Sequence, residues 1–361
     1  MTGARVEPIA PASLGMDEIR TRIDATLDDF LRAKAGPDAE PALPDEVTGT
    51  LHGFVTGGGK RFRPLLCVLG WHAAGGDGYV PASVVQAAAS LELFHAAVLI
   101  HDDIIDNSDT RRDQLTVHRV LAARHQNRRD PRQFGAHAAI VLGDLAMVWS
   151  AELLHTAGLT AGQLAAALTV LDGMRAEVMY GQYLDLLTTA CPSSDLSSAM
   201  EIIRYKTVAY TCERPLQLGA VLAGSDPEVL AALSAYARPL GEAFQLQDDL
   251  LGVYGDPSIT GKSNLDDLRD GKHTALVALA LEHADPAQAD QLHAALGDPE
   301  LDEQRAATCR DVLAAAGRPH VEAMIRTRWA QAQHALNDAP LPAAVIQALR
   351  YVADVAVART A

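Results

Sequence analysis

The stretch VVQAAASLELFHAAVLIHDDIID (residues 84–106) is rich in Ala and Leu, free of Pro and Gly, and closes on three aspartates. Its apolar residues fall on more than one side of a helical wheel, which reads as a helix buried among other helices. A second stretch, LLHTAGLTAGQLAAALTVLDGMRAEVMYGQYLDLL (153–187), has the same character. Aromatic residues make up only 5% of the chain, which suits close-packed helices better than a sheet. No clean apolar/polar alternation flanked by hairpin dipeptides occurs. Gly and Pro gather instead at 36–44, 56–64, 75–81 and 252–262, the expected connections. A first helix is expected from Met16 to about Ala35, behind a flexible N-terminus over residues 1–15. With no solenoid repeat and no long linker, residues 16–361 read as a single all-α domain.

The wider composition narrows the function. The chain has 361 residues, 48% of them hydrophobic, with 30 Lys+Arg against 46 Asp+Glu and a formal net charge of −16. That balance argues against nucleic acid or an anionic membrane as a general partner, because phosphate backbones need clustered Lys and Arg. Four cysteines (Cys67, Cys191, Cys212, Cys309) lie no closer than the 21 residues from 191 to 212, so zinc and redox CxxC spacings are absent. They are expected to be reduced, mostly buried thiols of a cytoplasmic protein. Neither a signal-peptide core nor about 18 uninterrupted apolar residues occurs, so no transmembrane segment is expected.

The acids at the end of the opening stretch continue as HDDIIDNSDTRRDQLTVH (101–118). Asp102 and Asp106 are four apart, on one helical face, and repel each other unless a cation lies between. Carboxylates without His or Cys at metal spacing suit Mg²⁺ rather than Zn²⁺. A solvated acidic helix end is the plainer reading of this cluster alone. FQLQDDLLGVYGD (244–256) repeats the pattern, with Asp248 and Asp249 after an apolar helical run. Two such pairs together point to a shared metal site in a helical bundle.

Cations accompany the acids. GGGKRFRP (57–64) is a glycine-rich turn with Lys60, Arg61 and Arg63, whose backbone amides could approach an anion. It lacks the GxxxxGK[ST] spacing of a P-loop. Arg111 and Arg112 follow the first acidic cluster, Lys206 and Thr207 lie in RYKTVAYTCERP, and Lys262 and Lys272 follow the second cluster. The joint pattern suggests two polyanionic groups, one held through Mg²⁺ and one held directly by Lys and Arg.

At these residues the chain resembles the trans-isoprenyl diphosphate synthase (polyprenyl synthetase) family, over roughly residues 45–330. The resemblance rests on GGGKRFRP, HDDIIDNSDTRR, VLGDLAMVW (141–149), GQYLDLL (181–187), the Lys206-Thr207 pair and QLQDDLLGVYGDPSITGKSNLDDLRDGKHT (245–274). The wording is similar to that of actinobacterial geranylgeranyl diphosphate synthases. It implies the all-α isoprenoid synthase bundle, a homodimer, with a central cavity between the two Asp motifs. It also implies head-to-tail condensation of isopentenyl diphosphate with an allylic diphosphate. Asp102 and Asp106 would ligate two Mg²⁺ and Asp248 a third, with Asp103 and Asp249 acting behind them or through water. Arg111, Lys206, Thr207, Gln245 and Lys262 would hold the allylic diphosphate. Lys60, Arg63, His95 and Arg112 would hold isopentenyl diphosphate, and Lys272 would lie near the closing loop. His95 could otherwise be an ordinary core histidine. The catalytic set is thus Asp102, Asp103, Asp106, Arg111, Lys206, Asp248 and Asp249.

Two positions depart from the family pattern: Gly252 stands where many relatives carry a third Asp, and Asp113 replaces a residue that is usually Gly. Upstream of the first motif, Ala97 occupies the place that is aromatic in short-product relatives. Phe94 lies about 4.5 Å further along the helix on nearly the same face. That places a pocket floor one isoprene unit deeper and implies a C20 product, geranylgeranyl diphosphate, unless Phe94 is simply core packing. Farnesyl or longer products are the alternatives within the same reaction. A class I terpene cyclase would not need the Lys60/Arg63 turn, and a non-catalytic subunit would have lost an Asp motif.

Overall fold

The structure, a computed structural model, describes residues 14–37, 39–256 and 264–358. Most of the expected flexible terminus (1–13) and Lys262 therefore lie outside the described residues. Among those described, nearly all regular structure is helical, as the composition predicts. The chain forms two compact units: Met1–Leu168 with Pro215–Asp226 and Pro342–Ala348, and Thr169–Arg214 with Pro227–Leu341 and Leu349–Ala361.

The first unit contains α1 (Met16–Lys34), α2 (Asp45–Thr56), α3 (Phe62–Ala73), α4 (Ala82–Ile105), α5 (Val117–Arg124) and α6 (Pro131–His155). The 84–106 stretch is α4, and it packs against α6, α3 and α1. Ile23, Leu27 and Leu31 of α1, Leu65, Leu66 and Leu69 of α3, and Leu91, Leu93 and Phe94 of α4 are fully buried together in this unit's core. Asp130 caps α6 by accepting from the Gln133 N–H, with Pro131 in the first turn where no N–H is missed.

α7 (Ala161–Thr188) follows a break that the sequence reading of 153–187 as continuous helix did not include. α6 stops at His155, and Gly158 adopts φ +70, a left-handed conformation that ends a helix at little cost for Gly. Next come α8 (Leu196–Ile202), a π-helical segment (Ile203–Glu213), α9 (Arg214–Leu222) and α10 (Pro227–Tyr254). α10 runs three residues into the expected 252–262 connection, through Gly252 to Tyr254. In the second unit α10 packs against the π-helical segment and the helix Arg318–Ala335. The core there gathers Leu246, Leu250 and Val253 of α10 with Leu268, Leu276, Leu292 and Leu313.

One small antiparallel pairing was not anticipated. β1 (Thr110–Arg111) pairs with β2 (Gln114–Leu115) across Arg112 and Asp113, both at positive φ. A two-residue turn of this kind needs left-handed residues at both centres. That explains why Gly suits position 113, and Asp is one of the few other residues that tolerate it. Two helices also differ from expectation in their apolarity. α4 and α6 are long and apolar enough to cross a membrane by length and composition, although polar residues interrupt both. Most of the apolar stretch of α4 is buried in the protein; most of that of α6 is not. Cys67, Cys212 and Cys309 are buried free thiols, and Cys191 is exposed.

Candidate active site

In the first unit the site is built where the buried helix α4 runs out into polar surroundings. Asp103 is buried, Asp102 and Asp106 are half-buried, and the β1–β2 turn folds back toward them. Arg111 Nε donates to Asp103 Oδ1 at 2.8 Å, and its Nη2 reaches Asp102 Oδ2 at 3.3 Å. Against the cost of burial, the Asp103 hydrogen bond and the charges of Asp103, Asp102 and Asp106 keep this guanidinium firmly protonated. Arg112 takes the opposite direction. Its Nη1 donates to the carbonyl of Gly58 at 2.7 Å, tying the hairpin to the glycine-rich turn. Two adjacent arginines thus link the acidic helix end and the glycine-rich turn, because left-handed Arg112 reverses the chain between them.

Arg61, grouped by sequence with the exposed cations of that turn, proves to be internal. It is 5% exposed, with Nε on Asp24 Oδ1 (2.6 Å), Nη1 on Glu92 Oε1 (2.9 Å) and Nη2 on the Val55 carbonyl (2.9 Å). Lys60 remains exposed and Arg63 half-buried. His95 lies on α4 one turn after Glu92. Burial first, then the charges of Arg63, Arg112, Arg111 and Arg61, keep its imidazole well below the usual range. The ring is therefore neutral at neutral pH and can donate one hydrogen bond, with the positive charge supplied by the arginines around it. A concentration of guanidinium groups about a neutral donor favours a phosphate-type anion.

The second unit carries the other constellation. A side chain at Gly181 of α7 would overlap the Lys206 backbone nitrogen and come within 2.7 Å of its Cα, so only Gly lets the π-helical segment lie this close. One turn later on α7, buried Asp185 accepts from Lys206 Nζ at 2.7 Å and from Lys272 Nζ at 3.5 Å. Thr207 Oγ1 donates to Gln245 Oε1 (2.8 Å), and Gln245 Nε2 donates to Asp249 Oδ1 (2.8 Å). Asp248 is exposed next to buried Asp249. Burial pushes the Asp249 carboxyl up to about 8, with Asp248, Asp267 and Asp185 adding to the rise and the Gln245 hydrogen bond opposing it. π-Helical geometry recurs at functional sites because it re-aims side chains within a helix.

The residues singled out by sequence therefore fall into two groups. Asp102, Asp103, Asp106, Arg111, Arg112, Lys60, Arg63 and His95 belong to the first unit. Lys206, Thr207, Gln245, Asp248, Asp249 and Lys272 belong to the second. Phe94 and Ala97 are fully buried on α4. Sequence reasoning missed three contributors. Asp185 was inside the quoted GQYLDLL motif, where its spacing of four from Gly181 was the available signal. The Glu92 and Asp24 partners of Arg61 carried no local signal at all. Among the described residues no three His, Cys, Asp or Glu side chains form a ready-made metal cage. The donor chemistry nonetheless fits a hard divalent cation: clustered carboxylate oxygens, partly withdrawn from water, with no thiolate among them.

Residues 44–313 match the polyprenyl synthetase family. The all-α fold is that of the isoprenoid synthases, and the chain belongs to the polyprenyl synthetase family. It is 34% identical to octaprenyl diphosphate synthase of Escherichia coli over 246 residues, 67% of this chain and 68% of that one. It is 33% identical to (2E,6E)-farnesyl diphosphate synthase of Mycobacterium tuberculosis over 275 residues, 76% of this chain and 70% of that one. The crystal structure of geranylgeranyl pyrophosphate synthase from Corynebacterium glutamicum, complexed with isoprenyl diphosphate and magnesium, superposes with a TM-score of 0.91. Identity to it is 40%, covering 96% of this chain and 99% of that one. The chain is thus similar to trans-prenyl diphosphate synthases, a family that joins isopentenyl and allylic diphosphates, whose members differ in product length.

Proposed function

We propose that this chain is a Mg²⁺-dependent geranylgeranyl diphosphate synthase, adding isopentenyl diphosphate head-to-tail to allylic diphosphates until a linear all-trans C20 product is made. The observation that supports this best is the acidic end of α4, where Asp103 holds Arg111 beside Asp102 and Asp106, and where Arg63 and Arg112 act on His95. Lys60, Arg63, His95 and Arg112 would bind isopentenyl diphosphate, with Arg112 oriented through Gly58. Arg111, Lys206, Thr207, Gln245 and Lys262 would bind the allylic diphosphate, and Lys272 would share Asp185 with Lys206. Asp103 would hold Arg111 in place, and Asp249 would do the same for Thr207 through Gln245.

Asp102, Asp106 and Asp248 would hold Mg²⁺, three ions in all, which when bound neutralises charge on the departing diphosphate. Fixed guanidinium and ammonium donors stabilise the same developing charge, and apolar α4 side chains would shield the allylic cation from water. No nucleophilic side chain is required. Relatives making both shorter and longer products leave chain length open, and the small residue Ala97 with Phe94 three residues before it on α4 is the feature that favours C20. The family match runs through both units, which supports reading residues 16–361 as one functional domain. A homodimer fits this reading, because Val141 and Val148, seven apart on one face of α6, are 62% and 61% exposed; we place it in the cytoplasm, as expected for a chain with free cysteines. Incubation of purified protein with isopentenyl and farnesyl diphosphates tests the proposal. Linear geranylgeranyl diphosphate supports it, a cyclic hydrocarbon indicates a cyclase, and no product defeats it.

A further inference from the structure

Directly after the short helix Asp266–Asp270 the chain reads Gly271-Lys272-His273-Thr274, and its backbone is held at both ends. Gly271 stands at φ +64, where a side chain is unfavourable, and its carbonyl accepts the Ala190 N–H at 3.0 Å. A methyl group built on Gly271 would come within 2.9 Å of the Gly297 Cα and 3.0 Å of the Ala190 Cα, so three stretches of backbone meet here. Thr274 caps the next helix, Ala275–His283, by accepting from the Val277 N–H at 3.3 Å. Between these fixed points Lys272 and His273 send their side chains to different targets. Lys272 Nζ approaches Asp185 Oδ2 at 3.5 Å, the oxygen that Lys206 Nζ reaches at 2.7 Å. His273 Nε2 donates to the Asp195 carbonyl at 3.1 Å.

Asp195 is a fixed point as well. Its carboxylate accepts from the Ser198 N–H at 3.1 Å and so caps α8, which continues directly into the π-helical segment carrying Lys206 and Thr207. Gly271 through Ala190, and His273 through Asp195, therefore hold the two ends of the connection between α7, which bears Asp185, and α8. The His273 ring is buried, and its Nδ1 has no hydrogen-bond partner. A buried nitrogen left unpaired costs stability that an apolar side chain would not. Histidine is thus a poor choice at 273 for packing alone, and what it provides is the bond to Asp195. A 3.5 Å contact holds an ammonium group loosely, so the anchoring of the adjacent residue bears on where Lys272 stands.

We propose that His273 is a positioning residue: through Asp195 it fixes the backbone beside Lys272, so that the Lys272 and Lys206 ammonium groups meet the diphosphate of the allylic substrate together. The inference rests on the synthase reading above and adds to it a residue outside the set that touches substrate.

The test is calorimetric titration of the full chain, with Mg²⁺, against farnesyl thiodiphosphate, an allylic analogue whose sulfur-linked diphosphate leaves slowly. Steady-state assays give KM for each substrate, and thermal melting checks folding. His273→Leu is expected to bind the analogue about tenfold more weakly, the loss of one bond's worth of placement. Its KM for farnesyl diphosphate should rise, while that for isopentenyl diphosphate, whose proposed residues lie in the first unit, should not. His273→Gln, which keeps a side-chain donor, is expected to restore most of the affinity. In a Lys272→Ala background His273→Leu is expected to add nothing, because the ring acts through the lysine. Wild-type affinity in His273→Leu would overturn the proposal, as would His273→Gln no better than His273→Leu, an equal rise in both KM values, or a full further loss on top of Lys272→Ala. Failure of the synthase reading shows itself separately, as wild-type protein that neither transfers prenyl groups nor binds the analogue.

Discussion

Arg61 in the glycine-rich turn and Glu92 on α4 form an ion pair closed off from solvent, Nη1 to Oε1 2.9 Å, with side chains 5% and 6% exposed. The two members are not equally dependent on each other. Arg61 also holds Asp24 and the Val55 carbonyl, whereas Glu92 Oε2 has no hydrogen-bond partner. Removing Arg61 leaves a buried carboxylate without its hydrogen-bonded partner, leaving the charge of Arg112 to offset it; removing Glu92 leaves Arg61 its other partners. Arg61→Met should therefore lower unfolding stability by about 3–5 kcal/mol, and Glu92→Leu by clearly less. Urea unfolding of the two variants checks the order, and equal losses would show that the pair does not work this way.

Chain length should respond to two buried residues of α4. Phe94→Ala removes the proposed floor and is expected to shift products beyond C20, whereas Ala97→Phe raises the floor and is expected to stop at farnesyl diphosphate. Reverse-phase chromatography of dephosphorylated products reads both. Unchanged lengths in both variants would reduce Phe94 to core packing.

His118 opens a window on acid stability. It is 4% exposed, neither ring nitrogen has a hydrogen-bond partner, and burial, helped by Arg119, pushes its imidazole down to about 4. The unfolded chain takes up a proton on this group near pH 6.5, while the folded chain does so only near 4. Folding stability from this group is thus fully present above pH 6.5 and is lost as pH falls toward 4, by up to about 3 kcal/mol. His118→Phe should flatten this part of the profile. Urea midpoints at pH 7.5 and pH 5 check it, with a smaller drop expected in the variant.

The exposed α6 face gives a further prediction. Glutamate at both Val141 and Val148 would place charge on a surface that should be apolar and covered in the dimer. Sedimentation of the double variant should show the monomer while wild type sediments as a dimer. Identical sedimentation would move the interface elsewhere.

Much of this was legible in the chain itself. The apolar run before Asp102 marked α4 as internal, and the spacing of four placed Asp102 and Asp106 on one face at its end; Asp248 and Asp249 follow an apolar run as expected, but α10 continues past them to Tyr254. Only the family resemblance gives Arg111 and Arg112 to different diphosphates; the physical basis of their divergence is the left-handed turn at Arg112 and Asp113, a backbone feature that adjacent cations do not announce. Arg61 read as one of three cations of the glycine-rich turn, with Lys60 and Arg63, and nothing in the turn marked it as internal. Its burial is decided by Asp24 and Glu92, 37 and 31 residues away in sequence. Asp185 depends likewise on Gly181, where absence of a side chain lets another segment approach. Close approach of this kind is a property of packing, and a sequence shows only the glycine.

The central claim is tested most directly by one incubation: purified chain, isopentenyl diphosphate and farnesyl diphosphate, with Mg²⁺ or with chelator, followed by chromatography of the products. The account predicts linear geranylgeranyl diphosphate with Mg²⁺ and none with chelator. Equal product without divalent cation, a cyclic hydrocarbon, or unreacted substrates from folded protein would contradict it.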